Sequence, residues 1–265
     1  MTTTVGNIGG HSPWLASVDA SFSPHIRESG AVLLRPLPLT EHCADPLARA
    51  EHVCIGISPF NSYFTVERIA DLARWAMSAF TGFHFFVPDG PSAFTLEALG
   101  YDPIRAAQKA QRQGNYTRNK IVRALLQVCP SDPQTLILDA ASLEADPAYL
   151  GLLSEAHQRF ALDPEFAEHC LGATGWVLDR RLPEGEHPTR DQLRSAVRYF
   201  LAELPMFVGT VAVAGVGSSV FAYHQRVEFL ERLYRGELSW RPLPGQGFVV
   251  LDQAIPEQAV AERVE

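Results

Sequence analysis

Three short polar clusters stand out against the apolar background of this chain, and each suggests chemistry. The first is HVCIGISPFN, 52–61, where an apolar run with β-branched residues ends in Ser58, Pro59, Phe60 and Asn61. A serine hydroxyl at the carboxyl end of a buried strand lies where open α/β sheets bind ligands, and its oxygen can serve as an acyl-transfer nucleophile. The second cluster is Tyr199 and Glu203, four residues apart in a segment whose apolar stripe is Leu193, Val197, Phe200, Leu201 and Leu204. That spacing puts phenol and carboxylate together on the opposite side, able to hold one ligand. The third is Tyr223-His224, which closes another apolar stretch. Each also has an inert reading: a turn residue, a solvated helix face, a hydrogen-bonded structural histidine.

A fourth feature concerns charge. The chain has 265 residues and a formal net charge of −8, which argues on average against a nucleic-acid partner. Between Tyr101 and Leu125, however, stand Arg105, Lys109, Arg112, Arg118, Lys120 and Arg123 against the single acid Asp102. On a helix, Arg105, Lys109, Arg112, Tyr116, Lys120 and Arg123 project within about 80° of one another, with Ala107, Ala110, Gly114, Ile121 and Leu125 opposite. Arg118 falls off this stripe and has no explanation in the pattern. A charged face is ordinarily just solvated, but solvated faces mix signs, and this one has no glutamate at i+4. An RNA or phosphate partner fits it.

The elements that position these residues follow from periodicity. Residues 1–30 mix Gly, Ser, Thr and Pro and read as a loose arm, with residues 31–265 as one domain. A strand at 53–57, a helix at 66–80 and a strand at 83–87 begin a parallel sheet of Rossmann type. A helix follows over 102–128, a strand at 135–139, helices within 147–171 and at 190–204, and β-like runs at 208–216 and 247–251. The fold class is therefore α/β. The longest apolar candidate, near 206–216, falls short of the roughly 20 residues a membrane span needs. Four cysteines without paired spacing suggest reduced thiols, and the opening MTTTVGNIGGHSP lacks a signal core, so a cytoplasmic protein is expected.

Taken in order, these residues resemble one family closely, the cyclodipeptide synthases. Its signature His-x-aliphatic-aliphatic-Gly-aliphatic-Ser is matched by His52-Val53-Cys54-Ile55-Gly56-Ile57-Ser58, and Tyr-aliphatic-x-x-Glu-x-Pro by Tyr199-Phe200-Leu201-Ala202-Glu203-Leu204-Pro205. Asn61, Tyr223 and His224 match the family's Asn-Tyr-His branch. The resemblance spans about residues 35–255. It implies a Rossmann-like domain similar to the catalytic core of class I tyrosyl- and tryptophanyl-tRNA synthetases, with two aminoacyl-tRNAs as substrates, no cofactor or metal, no ATP, and neither DNA nor membrane as partner.

By the same resemblance, Ser58 takes the first aminoacyl group and a second aminoacyl-tRNA donates its amino group; the dipeptide stays on Ser58, and cyclisation releases a diketopiperazine. Tyr199 and Glu203 hold the first ammonium group, Glu203 also handling protons. Tyr223 relays a proton or stabilises the developing charge near Ser58, Asn61 and His224 position it, and Gly56 lets the backbone approach the substrate. Arg105, Lys109, Arg112, Lys120 and Arg123 bind tRNA. Cys54, Phe85, Val87, Met206, Phe207 and Phe221 line the first side-chain pocket, whose apolar character implies at least one hydrophobic or aromatic residue in the product. Two other readings stay open: a serine hydrolase, which fits poorly because Gly56-Ile57-Ser58-Pro59-Phe60 lacks the second glycine of a nucleophile elbow, and a noncatalytic aminoacyl-tRNA-binding module.

Overall fold

The computed structural model describes residues 34–129 and 132–253; the arm expected over 1–30 lies outside the described residues. In chain order the first half contains β1 (Leu34–Pro38), α1 (Ala44–Arg49), β2 (His52–Gly56), α2 (Val66–Ala79), β3 (Gly82–Phe86), α3 (Ser92–Ala98) and α4 (Pro103–Val128). The second half contains β4 (Ile137–Leu138), α5 (Ala140–Leu143), α6 (Pro147–Leu162), α7 (Pro164–Asp179), α8 (Arg190–Val213), β5 (Ser219–Tyr223), α9 (Glu228–Arg235) and β6 (Gln246–Gln253).

The strands form one six-stranded sheet in the order β1-β6-β5-β2-β3-β4, parallel throughout except for β1, which runs antiparallel to β6. The chain moves outward from β2 through β3 to β4, then returns to place β5 on the other side of β2. This reversal of direction is the topological switch of the Rossmann arrangement, and it opens a crevice beyond the carboxyl ends of β2 and β5. Ser58 follows β2 and His224 follows β5.

Side chains along each strand alternate between two covered faces. Val53, Ile55, Phe83, Phe85, Val220 and Val249 pack with Ile69 and Leu72 of α2 and Ile121 and Leu125 of α4. Cys54, Phe86, Phe221 and Phe248 face the other way, onto Leu152 of α6, Phe166 of α7, Leu204 of α8 and Phe229 of α9. All four cysteines are free thiols, and Cys43, Cys54 and Cys170 are buried.

Helix α4 follows the expected segment closely. Asp102 caps it by accepting from the Ile104 and Arg105 N–H groups at 3.0 and 3.3 Å, and Pro103 occupies the first turn. Its buried face is Ala106, Ala110, Gly114, Thr117, Ile121, Ala124 and Leu125. Ala107, expected on that face, is exposed, and Ala106 occupies the core instead. Arg118 is explained by tertiary structure: it ion-pairs with the buried Asp139 carboxylate and donates to Gln134 at 3.3 Å.

Three expected elements differ. The strand at 135–139 shrinks to Ile137–Leu138, because Asp132 accepts from the Gln134 N–H and Pro133 starts a 3-10 turn over Pro133–Leu136. The helical region 147–171 is two helices. Asp163 ends α6 and caps α7 through the Phe166 N–H, while Pro164 has no N–H with which to continue α6. The run 208–216, expected as strand, instead extends α8 through Pro205 to Val213, with a kink at Gly209 (φ −156, ψ 32). A continuous apolar run looks the same whether it is a strand or a helix buried on several sides.

Among the described residues, the long apolar segment is therefore helix α8 and not the short run near 206–216. At 24 residues it is long and apolar enough to cross a bilayer, but 78% of its most apolar window is buried inside the fold. In this structure it is a core helix.

Candidate active site

The loop after β2 carries the serine. Ile57 still donates to the Phe86 carbonyl at 2.8 Å, and the chain then turns through Pro59 and Phe60. Phe60 has φ 63, a left-handed conformation that costs a bulky residue about 1–2 kcal/mol. Packing of its ring against Ala93, Leu96, Ala106 and Ala110 of α3 and α4 offsets that strain. The turn leaves Ser58 and Asn61 lining the same cavity, about 380 Å³ in volume.

Glu203 and Tyr199 reach this cavity from α8 and Tyr223 from the end of β5. Tyr199 donates its hydroxyl proton to Glu203 Oε1 at 3.0 Å. The Ser58 hydroxyl sits within hydrogen-bonding reach of both the Tyr199 and Tyr223 phenols. Its own donated bond is a long one, 3.4 Å to the Pro59 carbonyl. Asn61 Nδ2 donates to His224 Nε2 at 3.4 Å, its Oδ1 accepts from the Tyr63 N–H at 3.0 Å, and its side chain also reaches Tyr223. His224 is stacked on Tyr63 with centroids 4.3 Å apart and meets Phe64 edge-on at 5.1 Å.

Burial sets the protonation states. It pushes Glu203 up to about 8, against a smaller opposing pull from the Tyr199 hydrogen bond. Both phenols are raised above their ordinary range, first by burial and then by the nearby Glu203 charge; Ser58, Asn61 and Arg181 pull Tyr223 the other way. Burial also lowers His224 to about 4. Near pH 7 the site thus holds a largely protonated carboxyl, two phenols and a neutral imidazole. A cation entering beside Glu203 favours release of its proton. His224, neutral and flanked by rings, can position Asn61 but is not poised as an acid.

The floor is aromatic. Gly56, Phe86, Phe207, Phe221 and Phe248 line it, with Phe207 edge-on to Phe221 at 4.9 Å and Phe248 stacked on Phe221 at 5.8 Å. Of the six expected pocket residues, only Phe207 and Phe221 line this cavity. Phe85 and Val87 lie on the opposite face of the sheet, in the α2–α4 core, because strand alternation gives that place to Phe86. Cys54 and Met206 are on the correct side but fully buried, Cys54 below Gly56 in β2 and Met206 inside α8. Phe86 and Phe248 also line the cavity, as does Phe200, which the sequence pattern assigns to the apolar stripe of its helix; the period-2 register of β3 selects Phe86.

Gly56 does permit a close approach, and the structure supplies its partner from within the fold. A Cβ there would stand 2.8 Å from Phe221 Cζ and 2.9 Å from Cε1. Gly56→Ala is therefore expected to displace the Phe221 ring, costing roughly 1–3 kcal/mol by overpacking. Thermal melting checks this; an unchanged melting temperature would mean the ring shifts freely.

His52, the first residue of the apolar motif, lies at the far end of β2 from Ser58. Its Nδ1 pairs with Ser219 Oγ and its Nε2 with His84 Nδ1, both at 2.8 Å, which links β2 to β5 and β3. Burial, with a smaller contribution from His84, lowers it to about 3, so it is a neutral structural group.

The basic residues lie on the outer side of α4. Arg105, Arg112 and Arg123 are exposed, and among the described residues Arg105 and Arg112 have no carboxylate partner. Lys109 donates to the Tyr101 hydroxyl at 2.6 Å and lies 4.2 Å from that ring's centroid. Lys120 stands 4.7 Å from the Tyr116 centroid and donates to the Phe64 carbonyl at 3.0 Å, which ties α4 to the end of the serine loop. The sequence reading missed Trp176, Arg180 and Arg181 of the α7 end, which also line the cavity.

Fold and site together define an α/β protein of Rossmann type with a serine, a carboxyl group and two phenols gathered at its switch point. Residues 34–253 match the family "Cyclodipeptide synthase", and the chain belongs to it. It is 30% identical over 219 residues to a cyclo(L-leucyl-L-leucyl) synthase of Bacillus subtilis, covering 81% of this chain and 88% of that one. It is 31% identical over 207 residues to a cyclo(L-leucyl-L-phenylalanyl) synthase of Streptomyces noursei, covering 77% and 85%. Among solved structures, a Mycobacterium tuberculosis protein described as demonstrating that cyclodipeptide synthetases are related to type I tRNA synthetases matches with a TM-score of 0.73. That match has 28% identity and covers 84% of this chain and 94% of that one.

Proposed function

We propose that this enzyme joins two aminoacyl groups, delivered as aminoacyl-tRNAs, into a cyclic dipeptide through esters on Ser58 and without ATP. The observation that carries the reading is one cavity in which Ser58 lies beside two protonated phenols and a carboxyl group raised to about 8. In the first step Ser58 Oγ attacks the ester carbon of an aminoacyl-tRNA; the tRNA 3′-oxygen leaves and takes up the serine's proton. Tyr199 and Tyr223 donate hydrogen bonds to the charge that develops. Glu203 holds the α-ammonium group.

In the second step the incoming substrate is the acyl donor, not the amine donor expected from the resemblance. For the dipeptide to stay on Ser58, the amine of the Ser58-bound residue must attack the ester carbon of the second aminoacyl-tRNA, whose 3′-oxygen leaves and takes up a proton. That amine must first lose a proton, and a carboxyl with a pKa near 8 is suited to take it. The free amine of the dipeptide then attacks the Ser58 ester, closing the ring and restoring the hydroxyl. The aromatic floor suits an apolar side chain on the first residue. Such a reaction belongs in the cytoplasm, where charged tRNAs are.

Incubation with a charged tRNA pool and mass spectrometry is the test. Cyclic dipeptides that require charged tRNA and not ATP support the reading; free amino acids alone indicate a hydrolase, and bound but unreacted tRNA a noncatalytic module. The α4 face has its own test. Changing Arg105, Arg112 and Arg123 to Glu is expected to weaken first-step loading at least about tenfold, and to flatten its log–log salt dependence by roughly 0.9 per lost phosphate contact. Equal loading and salt dependence would return these residues to a merely solvated face.

A further inference from the structure

The α7 end contributes a feature that the chemistry above does not use. Trp176, Arg180 and Arg181 stand at i, i+4 and i+5, and all three are exposed while lining the cavity that holds Ser58. The Arg180 guanidinium lies 3.7 Å from the Trp176 ring centroid, and Trp176 is 45% exposed. The Arg181 guanidinium lies 5.8 Å from the Phe60 centroid, over the strained turn beside Ser58, and its charge is felt by the Tyr223 phenol. Neither arginine has a carboxylate partner among the described residues; Asp179, their neighbour in the chain, bonds His187 at 3.2 Å.

An Arg–Trp pair one turn apart is an ordinary helix contact. Its position is what gives it meaning, since it lines the same cavity as the half-buried Ser58. Guanidiniums without a carboxylate partner and a partly exposed indole are the groups that grip single-stranded nucleic acid, by phosphate contact and base stacking, with Arg180 swinging off the Trp176 ring or a base taking its other face. Arg105, Lys109, Arg112, Lys120 and Arg123 of α4 do not line the Ser58 cavity, so that face suits the body of an RNA more than its tip.

We propose that Trp176, Arg180 and Arg181 form a recognition site for the single-stranded 3′ end of the aminoacyl-tRNA, with a terminal base stacked on Trp176 and the adjoining phosphates held by the two arginines. The inference rests on the aminoacyl-tRNA reading of the site. It predicts that this part of the recognition is local to the last nucleotides and persists when the tRNA body, which α4 suits, is removed.

The probe is a CCA trinucleotide carrying whichever amino acid loads from full-length tRNA, with the covalent adduct followed by intact-protein mass spectrometry. In the double variant Arg180→Ala/Arg181→Ala, KM for the trinucleotide should rise roughly 10- to 100-fold, the scale of lost stacking and phosphate contacts, with kcat changed far less. Trp176→Leu should show the same pattern and Trp176→Phe should recover most of it, since a phenyl ring keeps a stacking face. All three positions are exposed, so melting curves should stay close to wild type. A trinucleotide that wild type cannot use, or that the double variant uses equally well, overturns the proposal. A wild type that forms no adduct with any charged tRNA removes the aminoacyl-tRNA reading itself, a distinguishable failure.

Discussion

Replacing Ser58 by alanine is expected to abolish both the cyclic dipeptide and the covalent aminoacyl adduct, a loss of at least about 10³-fold. The reason is geometric. Ser58 is the hydroxyl after β2 that lines one cavity with both phenols and Glu203, and burial holds the two phenols protonated. The fold should be unaffected, because the hydroxyl donates only a 3.4 Å bond to its neighbour's carbonyl. Intact-protein mass spectrometry after incubation with charged tRNA reads the adduct directly. An aminoacyl group still attached to the Ser58→Ala protein would move the nucleophile elsewhere.

The second large effect is at Glu203, where stability and activity should move in opposite directions. Burial raises this carboxyl from 4.5 to about 8. Between those two values the native state holds a proton that the unfolded chain has released, so stability declines as pH rises through that window. Glu203→Gln has no charge to bury. Its advantage should be absent near pH 4, grow through the window and reach roughly 3–6 kcal/mol by pH 9. A variant no more stable at pH 9 than at pH 4, relative to wild type, would mean that water or a neighbour already relieves the carboxylate.

The same substitution should cut first-substrate loading roughly 10- to 100-fold, the scale of one charge-assisted hydrogen bond worth about 1.5–3 kcal/mol. The substrate's α-amine titrates near about 8 as well, so carboxyl and amine hold one proton between them at the pH of maximum kcat/KM. In wild type kcat/KM should rise with pH toward 8; in Glu203→Gln that rise should vanish. An N-acetylated aminoacyl-tRNA has no ammonium, and the mutation should cost little on it. Equal losses on both substrates would make Glu203 a structural or proton-transfer group and not an amine anchor.

Much of this architecture is legible in the sequence because local pattern and tertiary outcome agree. The β2–α2–β3 unit, α4 with its capping aspartate, and the Tyr199–Glu203 pair follow from periodicity and spacing. What failed did so for two reasons. Continuous apolar runs carry no period, so 208–216 could not be told from a strand and the extent of α8 was underestimated. Strand parity also moves by one face for each residue of slip, which exchanged Phe85 and Val87 for Phe86. Arg118 and Trp176 have meaning only through partners in other elements, and no local window contains those partners. The Trp-x-x-x-Arg-Arg spacing was the one available signal for the cavity's mouth.

The separation of the site's parts along the chain also bears on its biogenesis. Asn61 and His224, which share a hydrogen bond, are 163 residues apart. Domains emerge from synthesis amino terminus first, at about 5–20 residues per second, so the serine loop exists for roughly 8–33 s before the strand that completes its surroundings. Throughout that interval β2 has one vacant edge, because β5 is its partner there. Nascent chains at work on a ribosome are bathed in charged tRNAs, and a nucleophile assembled early would meet them before the chain is finished. Placing Tyr223 and His224 so late delays assembly of the complete site until nearly the whole sheet has been made.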